Sequence, residues 1–272
     1  MSHLERFESV LIVFQNPVAG RQDSYDDWYT NIHIRDALRL DGALATQRFI
    51  VSEHQLTISG QRVVPAHWAH TIYEWESAKK SVEGHAERAG TPAMEISKDG
   101  SFDNLRDYFY RPVHLSHGWT LAEGFRRGTD VLTAMIVPAA GAESDFTRWF
   151  VDEHVQAALA LPGFASVALF RIHEQQSLPT PCRFPLAAVY SLSDAPEALL
   201  SWERQFIGQR SKDPTARAQE VELTCWKPRI PRLLARDVVA PTPAAAAEEQ
   251  RARGLYKDRY YSRADMLAVI TD

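Results

Sequence analysis

From Ser9 to Pro17 the chain is rich in Val, Leu, Ile and Phe and then stops at Asn16-Pro17, a pattern that predicts a buried strand ended by proline. The period then changes. Tyr25, Trp28, Tyr29, Ile32, Ala37 and Leu40 recur at spacings of three and four, predicting an amphipathic helix with one apolar stripe, and His33 and Asp36 fall on that stripe. Asp23 or Ser24 is placed to cap this helix, Asp26 and Asp27 to sit in its first turn, and Gly42 to end it. Apolar runs at Ala45 to Ser52 and His67 to Trp75 predict two further strands. Ser77 to Ala89 reads as a second helix, and Tyr110-Arg111-Pro112 marks a closing strand.

The same order recurs. Trp28 to Gly42, WYTNIHIRDALRLDG, returns as Trp149 to Gly163, WFVDEHVQAALALPG, and the separations from Trp28 to Trp149, His33 to His154 and Gly42 to Gly163 are all 121 residues. Upstream, VLIVFQNPVAG from Val10 meets VLTAMIVPAAG from Val131 at that offset. Ser166 to Ile172, Phe184 to Leu192, Ala195 to Gln209 and Trp226-Lys227-Pro228 match the later elements. An internal duplication follows. Each unit reads β-α-β-β-α-β, the ferredoxin-like order, in a protein of α+β class. One such unit covers only one face of its sheet with its helices, so two copies can bury the other face mutually as a single-chain dimeric α+β barrel. The expected division is residues 1–122, residues 123–236, and a linker and C-terminal arm over residues 237–272, which begins Pro- and Ala-rich and ends rich in aromatics.

Totals narrow the function without choosing it. The chain has 272 residues and a formal charge of −5, which gives no electrostatic reason to expect nucleic acid. No apolar run approaches the roughly 18 residues of a spanning helix, and the polar start MSHLERFES lacks signal-peptide features, so no membrane partner and a cytoplasmic location are expected. Cys182 and Cys225 fit neither a metal knuckle nor a disulfide framework and read as reduced thiols. No phosphate-cradling loop, nucleophile elbow or dinucleotide fingerprint is present.

A strand ending in N-P-x-x-G, followed by a helix carrying W-Y-x-x-x-H and closing in L-x-G, resembles the EthD-like branch of the dimeric α+β barrel superfamily. The resemblance covers roughly residues 9 to 52 and 130 to 173. It implies a barrel fold and membership of a group that includes cofactor-free polyketide cyclases, decarboxylases, lactone isomerases, dehydrohalogenases and quinone-forming monooxygenases. More distant relatives bind haem, but no residue here picks out a haem ligand. In enzymes of this kind the helix histidine often faces a cavity between sheet and helices and acts as general acid or base, which points to His33 and, by repeat equivalence, His154. Imidazole, with an ordinary pKa near 6.5, suits that role. The competing explanation is a histidine hydrogen-bonded within the core.

The halves are unequally equipped. Asp36 lies one turn from His33 and could orient it as in a dyad, whereas the second copy has Ala157 there. The third strand of the first half carries His67, His70 and Tyr73 against Phe184, Ala187 and Tyr190, and its fourth adds Tyr110, His114 and His117. Strand parity places His67 with Tyr73 and sets His70 on the other face, which argues against an H-x-x-H metal chelate. The expected catalytic set is therefore His33, Asp36, His67, His70 and Tyr73, with Trp28, Tyr29, Tyr110, His114 and His154 as substrate-binding candidates and no metal or cofactor. His85 and Glu87 read as a solvated helix face.

The expected function is a cofactor-independent lyase or isomerase that moves a proton on a small aromatic or polyketide-like substrate, sited in the first half, the second half acting as scaffold. A cofactor-free monooxygenase and a non-catalytic ligand-binding protein are the alternatives. A closed, dry interior around His33 would favour an assembly role, and a pocket of a few hundred cubic ångströms an enzyme or ligand binder. The arm and the habits of the superfamily point to a homodimer.

Overall fold

A computed structural model describes residues 7–116, 129–179, 181–209 and 211–271. The first half contributes β1 (Ser9–Gln15), β2 (Ala43–Val51), β3 (Ala69–Trp75) and β4 (Arg106–Leu115). The second contributes β5 (Asp130–Pro138), β6 (Phe164–Ile172), β7 (Leu186–Leu192) and β8 (Ala218–Pro228). They are antiparallel in the order β8-β5-β7-β6-β4-β1-β3-β2, and β2 pairs with β8, so the sheet closes into an eight-stranded barrel. Closure removes the exposed edges that each four-stranded sheet would otherwise present.

The first helix of each half is interrupted at the same place. α1 is α-helical over Gln22–Trp28, takes a π-helical turn at Tyr29–His33 and returns to α over Ile34–Leu38. α3 repeats this as Glu143–Trp149, Phe150–His154 and Val155–Leu159. Both π turns end on the histidine. α1 starts at Gln22 with no side-chain cap, so neither Asp23 nor Ser24 caps it, and Asp26 and Asp27 are used in ion pairs instead. Gly42 and Gly163 follow the two helices at φ of +81 and +83, and a Cβ on Gly163 would stand 2.6 Å from the Asp194 carbonyl. The second helices, α2 (Ala78–Arg88) and α4 (Ala195–Gln205), are of equal length and are capped by Ser77 and Asp194.

Three apolar clusters follow from strand alternation. Val10, Ile12, Phe14 and Phe49 meet Met135, Phe170 and Trp226 in the barrel lumen, so the halves do cover each other's inner faces and the lumen is packed. Outside it, Leu11, Val13, Tyr73 and Phe109 pack under α1 and α2, and their second-half counterparts pack under α3 and α4. The long loops cross over. Gln55 bonds the Cys225 backbone of β8 through both amide groups (2.7 and 3.0 Å), and Gln176, 121 positions later, does the same at Phe109 of β4 (both 2.9 Å).

The arm folds back onto its own chain, which removes one ground for expecting a homodimer. α5 (Ala235–Val239), α6 (Pro243–Tyr256) and α7 (Arg263–Thr271) lie over the first half. Charge fastens them: Arg39 makes two 2.8 Å bonds to Glu249, Arg251 reaches Asp27 at 2.9 Å, and Arg259 reaches Asp99 at 2.9 Å. Gly90 (φ +75) lets the backbone pass Arg263, whose Cα would be 2.9 Å from a Cβ there. Arg263 donates to the Ala86 and Glu87 carbonyls at the end of α2 (Glu87 at 2.5 Å). Among the described residues no helix is long and apolar enough to cross a membrane, and both cysteines are free thiols.

Candidate functional site

A cavity of about 250 Å3 lies between the first-half sheet and its helices. Leu11, Val13 and Tyr73 form its floor, Trp28, Tyr29 and His33 of α1 one wall, and Val82, His85 and Ala89 of α2 the other. Met266, Leu267 and Ile270 of α7 close it, and Ser177 and Leu178 reach in from the second half. Among the described residues no Lys or Arg lines it.

His33 faces this space. Its ring stacks on Trp28 (centroids 4.9 Å) and meets Tyr29 edge-on (4.8 Å), and its Nδ1 is buried without a hydrogen-bond partner among the described residues. Burial, with His85 and Arg48 adding positive repulsion, pushes its pKa down to about 3, so the ring is neutral at physiological pH. Tyr73 donates to the Tyr29 hydroxyl (3.2 Å), and burial raises both phenols.

His154 is the contrast. Its Nδ1–H donates to the Lys212 carbonyl (2.8 Å), leaving Nε2 to accept from the Tyr190 hydroxyl (2.8 Å). Phe150, Trp202 and Phe206 surround it within 5.6 Å between ring centroids. Both nitrogens are satisfied and His154 is not among the residues that line the cavity, so it is not a substrate-binding residue of this cavity. The difference lies in what fills the space. Ser77 and Asp194 start the second helices 117 residues apart, and at that offset Trp202 and Phe206 correspond to His85 and Ala89. Two large rings give way to an imidazole and a methyl, and the first half is left hollow.

Several expected residues lie elsewhere. Asp36 does not orient His33: it pairs with Arg253 and Arg39 at the arm, and burial raises it to about 6. Asp36 lies in the α-helical turn that follows His33, but its carboxylate is claimed by the two guanidinium groups instead. His70 points into the lumen, stacked on Phe14 (4.4 Å), donating to the Val13 carbonyl (3.1 Å) and facing Thr133 (3.4 Å). His67 also packs on Phe14 (5.6 Å) and bonds the Asn104 carbonyl (2.8 Å). The parity argument fails there because β3 begins only at Ala69, so His67 lies apart from Tyr73 and on the side of His70. Tyr110 is in the lumen, its hydroxyl donating to the Phe184 carbonyl (3.0 Å). His114 follows an irregularity in β4 and pairs opposite Leu169, away from the cavity. His117 lies outside the described residues. His33, Tyr73, Trp28 and Tyr29 are the expected residues that do converge.

Sequence reasoning missed His85, Asp107 and Ser177. His85 is turned inward, its Nδ1–H donating to the Ser81 carbonyl (2.8 Å), not into a solvated face. Asp107 shares the parity of Phe109 on β4 and accepts from the Ser177 hydroxyl at 2.9 Å. Burial raises its pKa while His85 pulls it down, and burial lowers His85 while Asp107 pulls it up. A readable signal existed: extending the internal comparison past the first helix sets His85 against Trp202. Among the described residues no group of three His, Cys, Asp or Glu is placed to hold a metal ion.

No family model matches the chain, and no curated protein matches it. Among solved structures it is similar to an anthrone oxidase-like protein, at 15% identity over 89% of this chain and 99% of that one, with a TM-score of 0.58. A mutant chlorite dismutase from Candidatus Nitrospira defluvii matches at 8% identity over 90% and 94%, with a TM-score of 0.50. At such identities the likeness is one of fold, that of a closed eight-stranded antiparallel barrel with helices packed outside it.

Proposed function

We propose that the protein is a cofactor-independent enzyme, a lyase or isomerase, that moves a proton on a small, neutral, aromatic or polyketide-like substrate held against His33. The observation that carries this reading is the cavity: apolar walls converging on a neutral imidazole whose buried nitrogen has no hydrogen-bond partner. A buried imidazole with no hydrogen bond holding it can accept a substrate proton, and because burial disfavours the imidazolium it also gives that proton up readily, which suits transfer over retention. No Lys or Arg stands among the described lining residues, which favours an uncharged substrate, and Trp28, Tyr29 and Tyr73 suit an aromatic ring with an oxygen to hydrogen-bond. We read residues 1–122 as the working half, residues 123–236 as its tandem copy turned scaffold, and residues 237–272 as the cover of the site, all in the manner of the EthD-like branch.

The assay is hydrogen-deuterium exchange in D2O of the acidic CH2 protons of 2-tetralone or anthrone, followed by NMR. Wild type should accelerate exchange, and His33→Ala should lose about 100-fold of it. Exchange within a few-fold of wild type in a folded His33→Ala protein would defeat the assignment. The likeness to an anthrone oxidase-like protein favours one second reading, a monooxygenase in which the deprotonated substrate itself meets oxygen. Oxygen uptake during turnover separates the two.

A further inference from the structure

In the second half Leu56, Trp202, Phe206 and Leu223 belong to one buried apolar cluster. Their counterparts at the first-half site are Ser177, which crosses over from the second half (offset 121, as between Gln55 and Gln176), His85 and Ala89 (offset 117), and Asp107 (offset 116, as between Tyr110-Arg111-Pro112 and Trp226-Lys227-Pro228). All four line the cavity. Ala89 only makes room. The other three put polar groups where the sister site is apolar, and they put them together. Ser177 bonds one oxygen of Asp107, and the other oxygen takes no hydrogen bond from a described residue. The Ser81 carbonyl fixes the proton of His85 on Nδ1, so its Nε2 is the nitrogen left for chemistry. Placing polar groups in an apolar cavity costs desolvation that their mutual pairing only partly offsets, and packing does not need them, since the sister site packs with hydrocarbon.

We infer that Asp107 and His85 are a further pair of catalytic residues, the proton station across the cavity from His33, with Ser177 of the second half as the positioning residue that orients the Asp107 carboxylate. This rests on the reading of the cavity as an acid-base site and adds its second half. Moving a proton from one substrate atom to another needs both an acceptor and a donor. When a substrate C–H bond breaks toward His33, its electron pair moves into the adjacent carbonyl. The protonated pair then gives a proton to the enolate oxygen, to a second carbon or to a leaving group. Return of the proton from His33 to Asp107 restores the site, and no outside reactant is required. Because burial raises Asp107 and lowers His85, their proton affinities converge, which eases passage between them.

Two measurements on the full chain test this. In a protein with 13C-labelled histidine, Asp107→Asn should lower the NMR titration midpoint of His85 by about one unit or more, and an unmoved midpoint overturns the pairing. In the 2-tetralone exchange assay, Asp107→Asn and His85→Gln should each lose about 100-fold. Ser177→Ala should lose less but shift the pH profile, and Ser177→Thr should restore it. If His33→Ala abolishes exchange while both pair variants, folded by circular dichroism, stay within a few-fold of wild type, the pair is overturned and the His33 reading survives. If the pair variants fail and His33→Ala does not, the reverse holds. A wild type that exchanges neither probe removes both.

Discussion

Ala89→Phe should rebuild in the first half the plug that Phe206 provides in the second. Ala89 ends α2 at φ −59 and ψ 131, a conformation open to any L residue, and its methyl lines the cavity. An apolar cavity of roughly 150 Å3 admits benzene, so a phenyl ring fits within about 250 Å3 and takes a large share of it. Burying the ring is worth about 1.5–3 kcal/mol, and imperfect packing against His33 and His85 returns about 1 kcal/mol or more. The net expectation is a gain of about 1 kcal/mol, a rise in Tm of roughly 2–4 °C. Binding of 2-naphthol, read by its fluorescence, should weaken at least about tenfold, or about 1.4 kcal/mol. Calorimetry and the titration together decide. A variant that melts several degrees lower, or that binds 2-naphthol as wild type does, would refute the account of how the cavity arises.

Three further outcomes follow from the same contacts. His154→Ala removes two buried hydrogen bonds and should cost about 2–4 kcal/mol in urea unfolding, with exchange activity kept, whereas His33→Ala loses no hydrogen bond and should show the opposite pattern. Removing residues 243–271 strips Arg253 from Asp36 and the α7 roof from the cavity, so the truncated chain should bind 2-naphthol more weakly and expose Trp28 of α1 to a fluorescence quencher, and unchanged binding would show that the arm is not a cover. Acid should destabilise the fold with a calculable sign. His33 and His70 are held at about 3 and His154 at about 4 by burial, so the unfolded chain binds protons first below 6.5 and stability falls as pH drops from there toward 3–4. At pH 5 each costs roughly 2 kcal/mol, partly offset below pH 6 by Asp36, whose raised value makes the folded state bind its proton first. Equal urea midpoints at pH 7 and pH 5 would contradict this.

Much of the architecture was legible in sequence because it is set by short-range periodicity. The stripe from Tyr25 to Leu40, the matching stripe 121 residues on, and the alternating runs gave the elements, their order and a sheet face in need of cover. Within β3, alternation also separated His70 and Ile72 from Tyr73. It broke down at His67, which precedes β3, and helical periodicity did so at Asp36, whose carboxylate is claimed by Arg253 and Arg39.

The sequence by itself determined that strands and amphipathic helices would build a mixed fold around one barrel, and that His33 would sit on the inner stripe of its helix. Only the tertiary structure decided that Asp36 answers to Arg253, 217 residues away, that His70 and Tyr110 are spent inside the lumen, and that His85, Asp107 and Ser177 meet around the hollow left by Ala89. The reason is physical. Helix and strand periods are fixed by covalent geometry and read locally, while the partner of a buried charge and the shape of a cavity depend on which distant segments pack against it.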